Sequence, residues 1–319
     1  MQGLVTVFGG SGFVGGQVVR ALAKAGYRVR VAVRQPNLAY RMRMLGDVGQ
    51  IEVFQANVRN PASVARALDG AEACVNLVGV LWESGRQKFQ SLHAMAAKTV
   101  AEAAAKAGVK HLVHVSALGA KADSTSKYFR TKAEGEAAVR DAFPGATIVR
   151  PSLVFGVDDK FFNKFAQIAA LAPVMPLVGA DTRVQPIFVG DVAAAIAKIV
   201  ANPAAVGVTY ELGGPTVYTM REIQQLILTE TGRNRPLAAL PWPVASLIGS
   251  LGDLVAGVLP PPLTSDQVEM LKTDNVAEGG LPGLAEVGVV GTSVEAVVPT
   301  YLYRYRKGGQ YAETPAGAF

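Results

Sequence analysis

Short apolar runs alternate with longer segments of helical spacing through the first half of the chain. Residues 4–8 (LVTVF) form such a run, and their β-branched side chains are typical of a strand that is buried on both faces. The segment 15–25 has helical periodicity and ends at Gly26. The same order then repeats, with strands predicted at 28–33, 51–55, 73–78, 111–115 and 146–149 and helices at 61–68, 89–107 and 126–142. This order predicts a parallel, doubly wound sheet of the α/β class with right-handed crossovers.

The pattern becomes less regular after Arg150. Helices are predicted at 161–172, 192–200 and 219–230, and short strands at 186–189 and 208–212. The last of these helices opens with a capping-box pattern at 219–222. We therefore expect one domain at 1–150, a smaller, mostly helical C-terminal lobe at 151–313 that is interleaved with it, and a disordered tail at 314–319.

A glycine-rich turn joins the first predicted strand to the first helix. Gly9, Gly12 and Gly15 recur at every third position of the segment 9–15 (GGSGFVG). Here the first glycine permits a tight turn, the second lets the backbone approach a pyrophosphate, and the third lets the helix pack close to the sheet. The helix amino terminus offers N–H groups to the phosphates. This context predicts a dinucleotide site of the Rossmann type, with an ordinary glycine turn as the alternative.

The residue that ends the second strand bears on the choice of cofactor. NAD sites usually place an acidic residue about 20 positions after the glycines, where it binds the ribose 2′-hydroxyl. Arg34 occupies this place, and no acidic residue is near it in sequence. Because a guanidinium suits a 2′-phosphate, the sequence favours NADPH over NADH, with Arg41 and Arg43 as additional candidates. The alternative is a solvated arginine at a strand end.

Ser116, Tyr128 and Lys132 form a third group of candidate residues. Ser116 ends the fifth strand, and the segment 128–132 has the pattern YxxxK. Positions i and i+4 share one helix face, so both side chains would reach one cleft. In a reductase the tyrosine would exchange a proton with the substrate oxygen, while the lysine would lower the tyrosine pKa and hold the nicotinamide ribose. The alternative is that Tyr128 only packs and Lys132 only binds cofactor.

Composition narrows the function classes. The net charge is +6, but the basic residues are dispersed, which argues against nucleic-acid binding. Cys74 is the one cysteine, so it forms no internal disulfide, as is typical of a reducing compartment. His93, His111 and His114 lack metal-ligand spacing, so no metal is expected, and His111 and His114, which flank a buried strand, are interpreted as structural. We expect no signal peptide, transit segment or membrane-spanning helix.

The segment 242–263 is unusually apolar, and it contains a tryptophan and several prolines. Asp253 is its one charged residue. We interpret it as a contact for a membrane surface or a partner, with a place in the core of the small lobe as the alternative.

With these motifs placed, the chain resembles the short-chain dehydrogenase/reductase superfamily, of the extended or atypical type. The landmarks match in order at 9–15, 76–79, 116, 128–132, 150–156, 185–193 and 211–215. A closer resemblance is to the branch that contains the NADPH-binding accessory subunit of respiratory complex I and its bacterial relatives. The segments that carry it are 7–13, 127–136 (KYFRTKAEGE), 140–144 (RDAFP), 263–276 (LTSDQVEMLKTDNV) and 300–310 (TYLYRYRKGGQ). General members of the superfamily lack the last two segments.

This resemblance implies an NADPH carrier that docks near the quinone-binding region of a membrane enzyme, with the nucleotide in a mainly structural role. It implies a location peripheral to the inner membrane, on the cytoplasmic side in a bacterium or on the matrix side in a mitochondrion. The motifs and the resemblance together predict the cofactor-binding residues Gly9, Ser11, Gly12, Phe13, Val14, Gly15, Arg34, Asn57, Val58, Leu77, Val78, Gly79, Ser116, Lys132, Pro151 and Leu153.

The sequence departs from active reductases at several positions. Phe8 stands where the superfamily usually has threonine, Asn57 stands where an aspartate usually meets the adenine, and Ser116 lies only twelve positions before Tyr128. Binding tolerates such changes better than turnover does, because turnover needs near-attack geometry. The first hypothesis is an NADPH-binding accessory or assembly protein of complex I. The second is an NADPH-dependent reductase or epimerase that uses Ser116, Tyr128 and Lys132.

Overall fold

The computed structural model describes residues 2–257 and 259–311, and the chain forms two compact units. The first, called here the sheet unit, comprises Met1–Pro151, Gly190–Leu212 and Glu278–Val290. The second, called the small unit, comprises Ser152–Val189, Gly213–Ala277 and Gly291–Phe319. The tail expected at 314–319 lies outside the described residues.

The strands and helices follow the alternating order of the sequence pattern. The strands are β1 (Gln2–Phe8), β2 (Tyr27–Val33), β3 (Ile51–Gln55), β4 (Ala73–Asn76), β5 (His111–Val115), β6 (Thr147–Pro151), β7 (Val154–Phe155), β8 (Met175–Val178), β9 (Arg183–Val184), β10 (Ile187–Phe188), β11 (Thr209–Leu212), β12 (Tyr218–Thr219) and β13 (Leu237–Leu240). The helices are α1 (Phe13–Lys24), α2 (Pro61–Leu68), α3 (Ala96–Lys106), α4 (Lys127–Ala142), α5 (Phe162–Leu171), α6 (Val189–Ala201), α7 (Met220–Glu230), α8 (Trp242–Val255), α9 (Ser265–Met270), α10 (Val294–Val297) and α11 (Pro299–Leu302).

The sheet unit is built on one parallel sheet whose described strands have the order β11-β6-β5-β4-β1-β2-β3. Strand order reverses between β1 and β4, and ligands of such sheets bind at the carboxyl ends on either side of that point. Val5, Val7 and Phe8 are fully buried, as expected for a central strand with helices on both faces. The predicted parallel, doubly wound sheet of the Rossmann type is confirmed.

The predicted helix at 89–107 is interrupted near its start. Residues Gln90–Met95 form a π-helical turn, and the regular helix α3 begins only at Ala96. Helix α4 packs so close to this turn that a Cβ atom at Gly135 would lie 2.1 Å from the His93 carbonyl oxygen. Because π turns concentrate at functional sites, this irregularity marks the region where α4 meets the segment 90–95.

The small unit has its own apolar core, which includes Phe155, Phe162 and Ile227. Asp159 fixes the start of α5, because its carboxylate accepts hydrogen bonds from the backbone of Phe162 and from the Tyr301 hydroxyl at 2.7 Å. The segment 300–310, which carries part of the family resemblance, is therefore tied into this core.

Helix α8 presents its faces in an unusual way. Its buried residues Ala245, Gly249 and Gly252 are small, and a Cβ atom at Gly252 would lie 1.8 Å from the Leu263 carbonyl oxygen. Large apolar side chains of this helix are nevertheless exposed: Trp242 at its start, and Val244, Leu247, Leu251, Leu254 and Val255 away from the buried residues. The predicted contact segment is thus helical over its first part, and its large side chains lie outside the core of the small unit. Across residues 2–257 and 259–311, no helix has both the length and the apolar character needed to cross a membrane.

Candidate functional site

The glycine turn has the backbone geometry that the sequence predicts. Gly9 adopts a φ of +80°, the Gly12 N–H donates to the Gly9 carbonyl at 3.1 Å, and α1 begins at the next residue, Phe13. A Cβ atom at Gly15 would lie 2.2 Å from the Gly9 carbonyl oxygen, so only glycine permits this approach of helix to turn. The turn therefore fits a pyrophosphate, with Ser11, Phe13 and Val14 beside it in the chain.

The segment that follows β4 lies against the glycine turn. The Leu77 N–H donates to the Phe8 carbonyl at 3.0 Å, and a Cβ atom at Gly9 would lie 3.1 Å from the Leu77 carbonyl carbon. The Asn76 side chain fixes the next residue, because its Oδ1 accepts from the Val78 N–H at 3.2 Å. The predicted cofactor contacts at 77–79 and those of the glycine turn are thus brought together.

Lys132 is buried beneath this segment. Its Nζ donates to the Val115 carbonyl at 3.2 Å, and a Cβ atom at Gly79 would lie 3.3 Å from it. Burial lowers the pKa of Lys132 to about 8, although attraction by Glu136 acts in the opposite direction. The ammonium has donors to offer a bound ligand, since its hydrogen bond to Val115 uses only one of its three protons.

Ser116 lies where β5 ends, and its side chain is almost fully buried. Its backbone N–H donates to the Val149 carbonyl at 2.8 Å, but its Oγ has no hydrogen-bond partner among the described residues. A buried hydroxyl in this state needs a ligand or water as partner. No hydrogen bond therefore joins Ser116 Oγ to Tyr128, although Tyr128 and Lys132 lie on one face of α4 with Nζ 5.9 Å from the ring centroid.

Helix α4 is held in place by a charged network. The Arg150 guanidinium donates to both carboxylate oxygens of Glu136, at 2.9 and 2.7 Å, and to Glu211 at 3.3 Å. Both carboxylates raise the pKa of Arg150. Because Glu136 lies one turn after Lys132, this bidentate pair fixes the depth at which Lys132 sits.

Two histidines, His93 and His114, belong to the surroundings of Lys132. His93 Nε2 accepts from the Val80 N–H at 3.1 Å, its Nδ1 lies 3.1 Å from Thr131 Oγ1, and its ring meets Tyr128 edge-on at 5.2 Å. His114 Nδ1 lies 3.2 Å from the Asn76 amide, and its Nε2 has no partner among the described residues.

Both imidazoles are neutral near neutral pH. Burial lowers the pKa of His93 to about 2, and repulsion from Lys132 and His114 adds to the effect. Burial and repulsion from Lys132 lower the pKa of His114 to about 3. Sequence reasoning missed this role of the histidines. One signal was present for His114, because residues two apart on a strand share a face and His114 precedes Ser116 by two.

Arg34 lines a cleft of about 240 Å³ beside the carboxyl ends of β2 and β3. Its side chain is exposed, and its Nη2 donates to Gln87 Oε1 at 3.4 Å. Asn57 also lines this cleft, and the neighbouring Val58 is buried. Gln87 belongs to a segment, 80–89, that the sequence did not single out.

The two last predicted contacts fall in different units. Pro151 ends β6 in the sheet unit, where its carbonyl accepts from the Leu118 N–H at 3.0 Å. Leu153 belongs to the small unit, where its carbonyl accepts from the Ile187 N–H at 2.9 Å. No group of three or more His, Cys, Asp or Glu side chains suited to a metal ion occurs in the described part of the chain.

Comparison with known proteins places the chain in a family. The model of the NmrA-like family matches residues 1–259. This chain belongs to the NmrA-like family. It is 34% identical over 308 residues to the rat mitochondrial NADH dehydrogenase [ubiquinone] 1 alpha subcomplex subunit 9, covering 95% of this chain and 80% of that protein. The predicted resemblance to the accessory-subunit branch is confirmed.

Other similarities extend to proteins named as reductases. A ceramide reductase from Caulobacter vibrioides is 33% identical over 252 residues, covering 79% of this chain and 78% of that protein. The crystal structure of an NADPH-dependent quinone oxidoreductase from Escherichia coli, complexed with NADPH, matches with a TM-score of 0.75 at 22% identity and covers 94% of this chain and 99% of that one. The structural match shows the shared fold.

Proposed function

We propose that this protein is an NADPH-binding accessory or assembly protein of respiratory complex I, in which the nucleotide is mainly structural. The similarity to the rat complex I subunit over 95% of this chain carries the proposal. The glycine turn, the segment 77–79 and Lys132 would hold the dinucleotide, with Arg34 at its 2′-phosphate.

The exposed face of α8 supplies the docking surface of the proposal. A helix that buries alanine and glycine while it exposes leucine reverses the usual pattern, and large exposed apolar surfaces mark contact sites. We propose that this face lies on the membrane surface beside the quinone-binding region of complex I. Lys272 Nζ lies 5.9 Å from the centroid of the Trp242 ring. This pair suits a lipid interface, where tryptophan and lysine side chains concentrate.

Native purification followed by denaturation and mass spectrometry of the released nucleotide tests this proposal. We expect NADPH in near-stoichiometric amount, and we expect the protein to copurify with complex I. The double variant Leu247→Asp/Leu251→Asp should keep its NADPH but lose copurification and flotation with anionic lipid vesicles. Leu171→Asp is the matched control, since Leu171 is an exposed leucine of the same unit. An empty site, or a chain that never associates with complex I, would contradict the proposal.

A reductase is the second candidate, because Ser116 Oγ is buried without a partner and Tyr128 and Lys132 share one helix face. The relative named as a ceramide reductase gives this candidate a precedent within the family. Tyr128→Phe separates the two. The accessory role predicts unchanged NADPH content and unchanged complex I levels in cells, whereas proton transfer by the Tyr128 hydroxyl predicts a loss of activity of about 100-fold or more.

A further inference from the structure

The cleft beside β2 and β3 has the character of an anion site. Its described lining residues are Arg34, Gln55, Ala56, Asn57, Asn60, Ser63 and Arg66. Two of them carry a guanidinium group, and none of them carries a carboxylate. Arg34 directly follows β2, whereas Arg66 lies in the last turn of α2, so two separate elements bring positive charge to one cleft.

Both arginines are exposed and free to bind a ligand. Neither forms an ion pair in the part of the chain that the structure describes. Arg34 makes a long hydrogen bond to the neutral Gln87 side chain, and Arg66 has no side-chain partner among the described residues. By contrast, Arg30 in the same unit pairs with Glu52 at 2.9 Å. Like charges that line one cleft repel each other until an anion lies between them.

Three acceptor oxygens of the cleft wall are already engaged. Ser63 Oγ accepts from the Asn57 N–H at 3.0 Å, Asn57 Oδ1 accepts from the Arg59 N–H at 3.1 Å, and Asn60 Oδ1 accepts from the Ser63 N–H at 3.2 Å. These bonds fix the wall of the cleft. The guanidinium groups supply the positive charge of the cleft, and they can take an anionic acceptor without breaking these bonds.

We infer that Arg66 is a second arginine of the 2′-phosphate site, and that the phosphate of NADPH binds between Arg34 and Arg66. This inference rests on the proposed NADPH function. A phosphate dianion satisfies both guanidinium groups through charge-assisted hydrogen bonds, and it is a stronger acceptor for Arg34 than the Gln87 amide. Arg66 then contributes to the affinity for NADPH and leaves the affinity for NADH unchanged, because NADH has no 2′-phosphate.

Titration of the full-length protein, stripped of nucleotide, with NADPH and NADH tests this assignment. Arg66→Gln and Arg34→Gln should each weaken NADPH binding by roughly 10-fold, with NADH binding unchanged. Both variants should likewise weaken binding of 2′,5′-ADP and leave binding of 5′-AMP unchanged. This pair of ligands tests the 2′-phosphate without the nicotinamide half of the cofactor. Arg20→Gln is the matched control, since Arg20 is an exposed arginine on α1 of the same unit. Arg66→Lys should restore part of the loss, because it keeps the charge.

Three results would overturn the inference. Equal weakening of NADPH and NADH by Arg66→Gln would mean that Arg66 contacts the adenosine that both nucleotides share. If the Arg66→Gln variant binds NADPH as tightly as the unaltered protein, Arg66 does not contact the 2′-phosphate, and Arg34 binds it without Arg66. Equal affinity of the unaltered protein for both nucleotides would overturn the proposed NADPH preference as well, and this outcome is visible before any variant is made.

Discussion

Replacement of Gly15 by alanine is expected to abolish nucleotide binding and to destabilise the protein by about 2–4 kcal/mol. The added Cβ atom would lie 2.2 Å from the Gly9 carbonyl oxygen and 2.7 Å from the Gly10 Cα atom, and both are backbone atoms that cannot rotate away. The glycine turn must then separate from α1. Its N–H groups would no longer converge on a pyrophosphate, so NADPH affinity should fall by about 100-fold or more. Thermal unfolding and NADPH fluorescence titration measure the two effects.

The adjacent glycine supplies a matched control. A Cβ atom at Gly16 meets nothing within 4 Å, so Gly16→Ala should keep nucleotide binding and stabilise α1 by about 0.5–1 kcal/mol. Gly12→Val separates binding from folding, because its Cβ atom meets only the Gly9 carbonyl oxygen at 3.3 Å. That variant should fold and yet bind poorly. Identical behaviour of the Gly15 and Gly16 variants would contradict the steric argument.

The sheet was predictable because each of its strands and helices has a recognisable pattern within its own short segment of sequence. Each buried strand is a short apolar run, and each crossover helix shows its own periodicity, so β1 to β6 appear in the sequence within a few residues of their observed bounds. The glycine turn was predictable for the same reason, since its three glycines lie within seven residues. The YxxxK pair likewise depends only on the spacing of one helix.

The rest of the site depends on contacts between distant segments. His93 reaches Lys132 because a π-helical turn in 90–95 packs against Gly135 of α4, and no local pattern predicts such a turn. The segment 80–89 folds back through the backbone bridge between Ser84 and Gln87, which brings Gln87 to Arg34, 53 positions earlier. Pairings of this kind are set by the packing of the whole sheet unit.

The small unit was predicted less well for a related reason. Its strands are mostly two to four residues long, which is too short for a period to be visible. Its segments are held together by individual hydrogen bonds between residues far apart in sequence. Examples are the bonds from the Tyr301 hydroxyl to Asp159 and from Arg306 to the Glu230 carbonyl. The sequence also did not predict that α8 buries its small residues and exposes its large ones. Leu, Val, Gly and Ala are all apolar, so their pattern does not show which side is buried until the close contacts of Gly249 and Gly252 are known.

Lys132→Met is expected to stabilise the nucleotide-free protein while it weakens NADPH binding. The buried ammonium has a pKa of about 8 against its usual 10.5, so keeping it charged at pH 7 costs about 3 kcal/mol relative to the unfolded chain. Methionine has a similar shape and no charge, so the variant should recover about 1–3 kcal/mol in thermal unfolding, less the lost bond to Val115. NADPH affinity should fall by roughly 10- to 100-fold, because the donors that would hold the ribose are gone.

The pH dependence gives an independent readout of the same charge. Between about pH 8 and pH 10.5 the unfolded chain binds more protons at Lys132 than the folded protein does, so the free energy of unfolding rises with pH in that window. The rise is lost in Lys132→Met. Lys98→Met is the control, because Lys98 is exposed and makes only a surface pair with Glu102 at 3.8 Å. If the Lys132→Met variant is less stable and binds NADPH normally, Lys132 stabilises the fold and does not bind the nucleotide. A variant that is more stable and binds poorly would mean that the protein keeps a destabilising buried charge in order to bind its nucleotide, a cost in stability that is common at functional sites.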